Sequence, residues 1–474
     1  MQIKENTFNP RLESGHSQAS ALSSYELEID EIYNKILEKN LHSRDDKLDH
    51  RKGIKEKLND ISKVLFSRES AYRGLIEIFA EDLPSLIVES FRGINSTLEH
   101  LFKYCLTTSI IMGVPYFAQF ISSKSAKTIL NSVDHKQGAL ALLFNRADLV
   151  SEESFEKAKS RILKEEVLDQ VNLMKLWGKN SKKTQTHLEK AYQIKENIKK
   201  LKNNSSFREE ALMLKNDLIQ KQTLMISTLS AFVPYLIRLF RKYVLGVDRF
   251  TGSINYLNDK NAKKLGSQGF TLKQTLGTIA CMFSSPLITK FFVKRFKNQL
   301  HLGNFSKLMS EQLDTKHSYF PKIGTYILSF SLPYLISKLF NAQDKYEFAE
   351  TIVKTSFNGL SLFFGDRVTN GRFAKSADRE LQSLHNTEKG ILYRSTKDTG
   401  GLWSWLKETF PEARKFSDVI ALTEHNPKLE KDAIERYQTS FLKGFFSHSV
   451  GIAVMKYIVN KITQLRVNRD LKAI

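Results

Sequence analysis

Apolar and polar positions fall in blocks along this chain, and the apolar blocks repeat one pattern: an uncharged stretch, a single proline, then basic residues. The pattern first reads Ser109-Ile-Ile-Met-Gly-Val-Pro115-Tyr-Phe117. It returns as Leu229-Ser-Ala-Phe-Val-Pro234-Tyr-Leu-Ile-Arg238, as Ala280-Cys-Met-Phe-Ser-Ser-Pro286-Leu-Ile-Thr-Lys290, and as Leu328-Ser-Phe-Ser-Leu-Pro333-Tyr-Leu-Ile-Ser-Lys338. Around these blocks the period is helical. Residues 1–24 read as a disordered polar tail. Residues 25–100 form an amphipathic helical region, with stripes at Tyr25, Ile29, Ile32, Ile36 and at Ile54, Leu58, Ile61, Leu65. Asp82 is placed to cap a helix starting at Leu83, with Pro84 in its first turn. That helix is expected to run on into the first apolar, candidate transmembrane segment at 101–123.

Residues 124–222 read as a charged soluble region of helical hairpins. Phe155, Ile162, Val167, Val171 and Met174 mark one helix, Leu188, Tyr192, Ile198 and Leu201 another, and Phe207 opens a third. Residues 223–370 form an apolar helical membrane region, with segments near 223–246, 274–293, 323–341 and 351–365. Residues 371–440 are a polar linker and helical region. The span 441–474 is a C-terminal apolar helix with a basic tail. Strand signals are nearly absent. The fold expected is all-α: a membrane-associated helical protein with proline-kinked apolar helices and charged amphipathic hairpins.

Two of the proline blocks share more than composition. Leu-Ser, three residues, then Pro-Tyr-Leu-Ile occurs at Pro234 and again at Pro333. Downstream of each lies a second match, Gly246-Val-Asp-Arg249-Phe-Thr251-Gly252 and Gly365-Asp-Arg367-Val-Thr369-Asn-Gly371. The two-part match points to an internal duplication. The plain reading of each Gly-Asp-Arg run is a helix C-cap with an arginine beyond it.

A proline inside a helix frees the carbonyl four residues back. In lipid that carbonyl needs a partner, and a nearby Ser or Thr supplies one. Pro115, Pro234, Pro286 and Pro333 are therefore read as helix kinks. Ser230, Thr278, Ser285, Thr325 and Ser329 are the polar groups expected at mid-depth on facing helices. Only the first block has 20 uncharged residues, from Tyr104 to Ser123, and the later ones have 15 or 16 between flanking lysines and arginines. Those are short for a bilayer unless the basic ends snorkel. The residues assigned to headgroups at the interface are Arg238, Arg241, Lys242, Arg249, Lys290, Lys294, Arg295, Lys338 and Arg367.

Charge sharpens the choice of partner. The net charge of +21 suits an anionic bilayer surface, nucleic acid or an acidic protein. The lysines and arginines are spread along the whole chain with no arginine-rich run, which ranks nucleic acid below anionic lipid. A second copy or a protein partner is a further candidate. No secretory signal precedes Tyr25, so the expected place is the inner or cytoplasmic membrane, with helical regions facing the cytoplasm. Cys105 and Cys281 both sit in apolar blocks and read as small buried hydrophobes.

Sequence reading assigns no catalytic, cofactor-binding or metal-ligating residue. There is no phosphate-binding glycine loop, no nucleophile elbow, and no two of the 11 histidines stand three or four residues apart. Asp398-Thr399-Gly400 matches an aspartic-protease triplet but lacks the apolar strand before it. The chain therefore reads as non-enzymatic, a scaffolding or membrane-shaping protein with basic faces on anionic lipid. A transporter or channel built on kinked helices ranks second, because the prolyl blocks after residue 223 hold no acidic residue. A soluble basic helical protein binding nucleic acid or an acidic partner is the third alternative.

Overall fold

A computed structural model describes residues 80–129, 143–177, 182–201, 207–247, 250–254, 271–296, 321–387, 390–394, 411–414, 416–423 and 426–473, with positions 30, 31, 33, 34, 140, 313, 314 and 409 besides. In chain order the elements are α1 (Leu83–Ser90), α2 (Ile94–Ile129), α3 (Arg146–Val150), α4 (Glu152–Trp177), α5 (Lys182–Leu201), α6 (Phe207–Tyr243), α7 (Thr251–Ile254) and α8 (Leu272–Phe296). Next, α9 (Ile323–Tyr326) passes through a π-helical turn at Ile327–Ser331 into α10 (Leu332–Phe340). Then come α11 (Lys345–Asp366), a second π-helical turn (Arg367–Gly371), α12 (Arg372–His385), the short strands β1 (Tyr393–Arg394) and β2 (Glu412–Ala413), α13 (Phe416–Thr423) and α14 (Pro427–Lys472). The all-α expectation holds for the described residues. The tail at 1–24, the stripes at Tyr25, Ile29, Ile32, Ile36 and at Ile54, Leu58, Ile61, Leu65, Arg249 and the Asp398 triplet lie outside them.

The chain divides into two units. The smaller comprises residues 1–61 and 155–206. Its core holds Tyr33, Phe155, Ile162, Leu163, Val167 and Ile198, all buried. Lys199 and Lys195 bond Asp30 there, at 2.8 and 3.0 Å. The Lys199 bond, aided by Lys195, holds the Asp30 carboxyl below its usual range against the opposing effect of burial.

The larger unit, residues 62–154 and 207–474, carries the proline blocks. Its central helix is α6, which runs unbroken from Phe207 through Pro234 to Tyr243. The sequence boundary at residue 222 is therefore only a change of composition within one helix. Beside it α2 runs antiparallel: Glu99 meets Arg241 near one end, and Ser122 meets Asp217 near the other. The α9–α10 stretch runs parallel to α6, since Ser230 meets Ser329 and Arg238 meets Asn341. Between them lies an apolar core of Ile110, Ile111, Val114, Ile226, Val233 and Ile237, closed by the ring column Tyr326–Phe330–Tyr334. Helix α14 runs antiparallel to α11, pairing Thr463 with Glu350 and His448 with Ser361. The first part of α14 belongs to a second core, with Leu429 and Ala433 against α12, Leu392, Tyr393 and Val419.

The helix beginning at Leu83 ends at Ser90 and does not continue into the first apolar block. Gly93 adopts a φ of 109°, a conformation that costs glycine alone little, and the chain turns there. Asp82 precedes α1 but accepts no cap hydrogen bond from its N–H groups; its carboxylate accepts instead from Thr108 at 3.2 Å. Gly246, with a φ of 66°, ends α6 as expected, and the Val247 N–H closes the motif on the Arg241 carbonyl at 2.9 Å. Gly365 differs. It lies inside α11, and helical backbone continues into the π-turn. Cys281 is buried, whereas Cys105 is exposed on the outer face of α2. Two helical stretches, Ile94–Ser122 and Phe207–Tyr243, are long and apolar enough to cross a membrane.

Candidate functional site

The four prolines all stand in helical backbone. Pro333 has no N–H for the carbonyl of Ser329, and the Ser230 hydroxyl of the neighbouring block donates to that carbonyl at 3.3 Å. The Ser337 hydroxyl donates in turn to the Ala231 carbonyl. The two Leu-Ser-x-x-x-Pro blocks thus face one another, and a hydroxyl of the first reaches the carbonyl that the proline of the second frees. Thr278, Ser285, Thr325 and Ser329 are buried with Ser230, so every polar group expected at mid-depth points into the protein.

At one end of this bundle a chain of buried charges runs through it. The Arg241 guanidinium donates to both Glu99 oxygens at 2.6 Å, to Glu347 at 2.7 Å and to Gln343 at 3.0 Å. The Thr251 hydroxyl adds a bond to Glu99 at 2.6 Å. Arg92 forms a bidentate pair with Glu350 at 2.6 and 2.7 Å. Lys354 bridges Glu350 and Glu89 at 2.7 and 2.6 Å. The ring of Phe250 lies under both guanidiniums, 5.4 Å from Arg241 and 5.7 Å from Arg92. Gly252 makes this close approach feasible, because a Cβ there would stand 2.8 Å from Arg92 Nη1 and 2.5 Å from Phe250 Cζ.

The turn at Gly93 delivers Arg92 into the cluster, and the C-cap of α6 sets Phe250 and Thr251 beside it. Burial disfavours the charge on Glu89, yet His100, Lys354 and Arg92 outweigh that and hold its carboxyl well below the usual range. Asp344, in the link before α11, accepts from the N–H groups of Tyr346 and Glu347; burial, with Glu347 adding to it, pushes its carboxyl up to about 6.

The cluster borders a cavity of about 90 Å³. Beyond Lys354 its wall continues with His100, Tyr104, Lys103, Tyr334, Lys338 and Lys456. Lys456 projects from α14 and donates to the hydroxyls of Ser85 and, at 3.5 Å, Tyr104. No family model, no curated protein and no solved structure matches the chain. The site's chemistry is therefore read from its own geometry.

The same helices carry large apolar side chains on their outer faces. On α14, Leu442, Phe446, Val450, Val454, Ile458, Ile462 and Leu465 recur every three or four residues and are exposed. The opposite stripe of that helix holds Lys456, Asn460 and Thr463, all buried. On α8, Leu276, Ile279, Phe283, Leu287 and Phe291 face outward in the same way, while Thr278, Ser285 and Thr289 are buried.

The residues assigned to headgroups divide. Arg238 and Arg241, only 2% and 3% exposed, lie inside the bundle, Arg238 donating to the Asn341 carbonyl at 3.1 Å and Arg241 to the carboxylates. Both were expected at the surface, because a basic residue at the end of an apolar run looks the same whether it meets water or a carboxylate from another helix. Lys242 and Lys338 are half-buried, each near a tyrosine ring, and Lys290 is exposed. Lys294, Arg295 and Arg367 lie in helical backbone, and their side chains fall outside the described residues.

Sequence reasoning missed Glu89, Arg92, Glu99, Glu347, Glu350 and Lys354. One signal was available: Glu99, His100 and Lys103 fall in the turn or so of α2 just before its uncharged stretch.

Proposed function

We propose that this chain is an integral helical membrane protein, without enzymatic activity, whose bundle encloses a charge-lined chamber for a small polar solute. One observation carries the reading: helix faces with charged and hydroxyl groups are buried, while faces with Leu, Ile, Val and Phe are exposed, on the same helices and at the same level. In water that arrangement is costly on both faces. In a bilayer the apolar face meets lipid and the polar groups satisfy each other inside. Between Lys215 and Arg241, buried near opposite ends of α6, lie 26 residues of rise, or about 39 Å at 1.5 Å per residue. That length covers the roughly 30 Å hydrocarbon layer.

Transport ranks above scaffolding on this reading. The carboxylates missing from the prolyl blocks reach the chamber from α1, α2 and α11. The exposed Lys290, with the half-buried Lys242, supports a role for anionic headgroups alongside it.

Membrane extraction at alkaline pH tests the first half of the reading, since full release of the chain into the supernatant overturns it. Osmotic swelling of proteoliposomes in small polar solutes tests the second. Swelling faster than protein-free vesicles is the expected result, and equal rates overturn the chamber as a solute path.

A further inference from the structure

The wall of the chamber beyond the carboxylate cluster is cationic and incomplete. Lys103 Nζ stands 5.1 Å from the Tyr104 ring centre and 5.9 Å from that of Tyr334. Lys338 Nζ stands 5.9 Å from the Tyr334 ring, and Lys456 Nζ 5.8 Å from the Tyr104 ring. Three ammonium groups thus surround two adjacent rings. Among the described residues none of the three is in an ion pair, unlike Lys354, Arg92 and Arg241 nearby. Lys456 is 4% exposed and bonds only neutral hydroxyls. Glu81 and Glu89 act on it only through space, and a buried ammonium without a bonded counter-charge is expensive.

The Tyr334 hydroxyl completes the picture. The residue is 5% exposed, its ring packs in the column with Phe330, and its oxygen is buried without a hydrogen-bond partner. Across the chamber the Asn358 amide oxygen is likewise unbonded. Five carboxylates line the cavity; Glu89, Glu99 and Glu350 are paired with Lys354, Arg241 and Arg92, which leaves Glu81 and Asp82. Glu81 lies 3.6 Å from His448, and Asp82 accepts from Thr108. Burial pushes the Asp82 carboxyl up to about 6, against the pull of Lys103, which weakens its competition for the lysines.

We infer that the chamber binds a small oxyanion of the phosphate class, held by Lys103, Lys338 and Lys456 and by a hydrogen bond from the Tyr334 hydroxyl. Such an anion supplies the missing counter-charge, accepts from Tyr334, and when protonated can donate to the Asn358 oxygen. A water-sized site of this kind needs about 10–15 Å³, so the cavity of about 90 Å³ holds a tetrahedral anion and not merely one water. The anion is either free phosphate or the phosphate of a lipid headgroup entering between helices. The inference deepens the chamber reading and names its solute.

The test is titration of the purified full chain in a non-ionic detergent with inorganic phosphate, followed by calorimetry. The parent should bind saturably. Tyr334→Phe removes an oxygen that bonds nothing in the unliganded fold, so its melting temperature should stay level or rise while phosphate affinity falls about tenfold or more, the range of a hydrogen bond to a charged group. Lys103→Met should weaken binding further, and Lys428→Met, an exposed charge remote from the chamber, should leave it unchanged. A second arm compares melting temperature in phosphatidylcholine nanodiscs with and without phosphatidylglycerol. A Tyr334-dependent rise with phosphatidylglycerol, without binding of free phosphate, assigns the site to the headgroup. If the parent binds neither, or if Tyr334→Phe and Lys103→Met bind as the parent does, the inference is overturned. Alkaline extraction gives its answer separately, so a membrane protein without an anion site is told apart from a soluble one.

Discussion

Arg241 engages three side chains through four hydrogen bonds while almost wholly buried. Its removal would leave Glu99 and Glu347, both bonded to the same Nη2, facing each other without a cation. Breaking a buried ion pair from one side costs about 3–5 kcal/mol, so Arg241→Met should lower stability by that amount in thermal or denaturant unfolding in detergent. Arg241→Lys should recover less than half. One ammonium lacks the planar fork that reaches both Glu99 oxygens and Glu347 together. An arginine resting on headgroups would tolerate either change at almost no cost, so parent-like stability of both variants would refute the inward placement. The basic character of position 241 was legible in the sequence, and its direction was not. A charge at the end of an apolar helix reads identically toward water and toward the carboxylates of two other helices, because Glu99 and Glu347 lie more than a hundred residues away.

Elements were more legible than contacts. The helical period, the onset at Phe207 and the helical stop at Gly246 all follow from local chemistry, and the structure has them, whereas helical backbone already precedes Leu83 at residues 80–82. What local chemistry could not supply was the continuity of α6 across its change in composition, or the break at Gly93, which depends on what the turn delivers. The duplicated serines show the same limit. Their spacing to proline suggested a hydroxyl helping its own helix, and Ser230 does that at the Ser227 carbonyl, 3.1 Å away, but also reaches the carbonyl orphaned by Pro333 in the other block at 3.3 Å. That exchange predicts a coupling. Ser230→Ala should cost about 1–2 kcal/mol by leaving a buried carbonyl short of a donor. In a Pro333→Ala background, where a backbone N–H at 333 can reach the same carbonyl, the cost should shrink by at least about 0.5 kcal/mol. Strict additivity in the four-way cycle would mean the two blocks do not share this bond.

At the scale of the whole molecule, α8 and α14 bury polar groups on one face and expose Phe, Leu and Val on the other, and this pattern supports the membrane reading proposed above. Phe283, near the middle of α8, is 73% exposed, and Val450 on α14 is 60% exposed. Leu384, 59% exposed on α12, is as apolar and as open, but belongs to the polar part of the chain after residue 371. On a soluble protein a lysine at any of the three is a surface substitution, within about 0.5 kcal/mol of neutral. In a bilayer the first two place a charge among acyl chains at a cost of about 2.5–3.5 kcal/mol each, while the third stays in water. Phe283→Lys and Val450→Lys should therefore reduce the membrane-inserted fraction and the detergent melting temperature, and the double variant should fail to accumulate in membranes. Leu384→Lys should match the parent throughout. The comparison holds side-chain exposure nearly constant and varies only what lies outside it. Three variants that fold and fractionate alike would mean that water surrounds all three positions, and the lipid-facing belt would have to be abandoned along with the chamber's place in the bilayer.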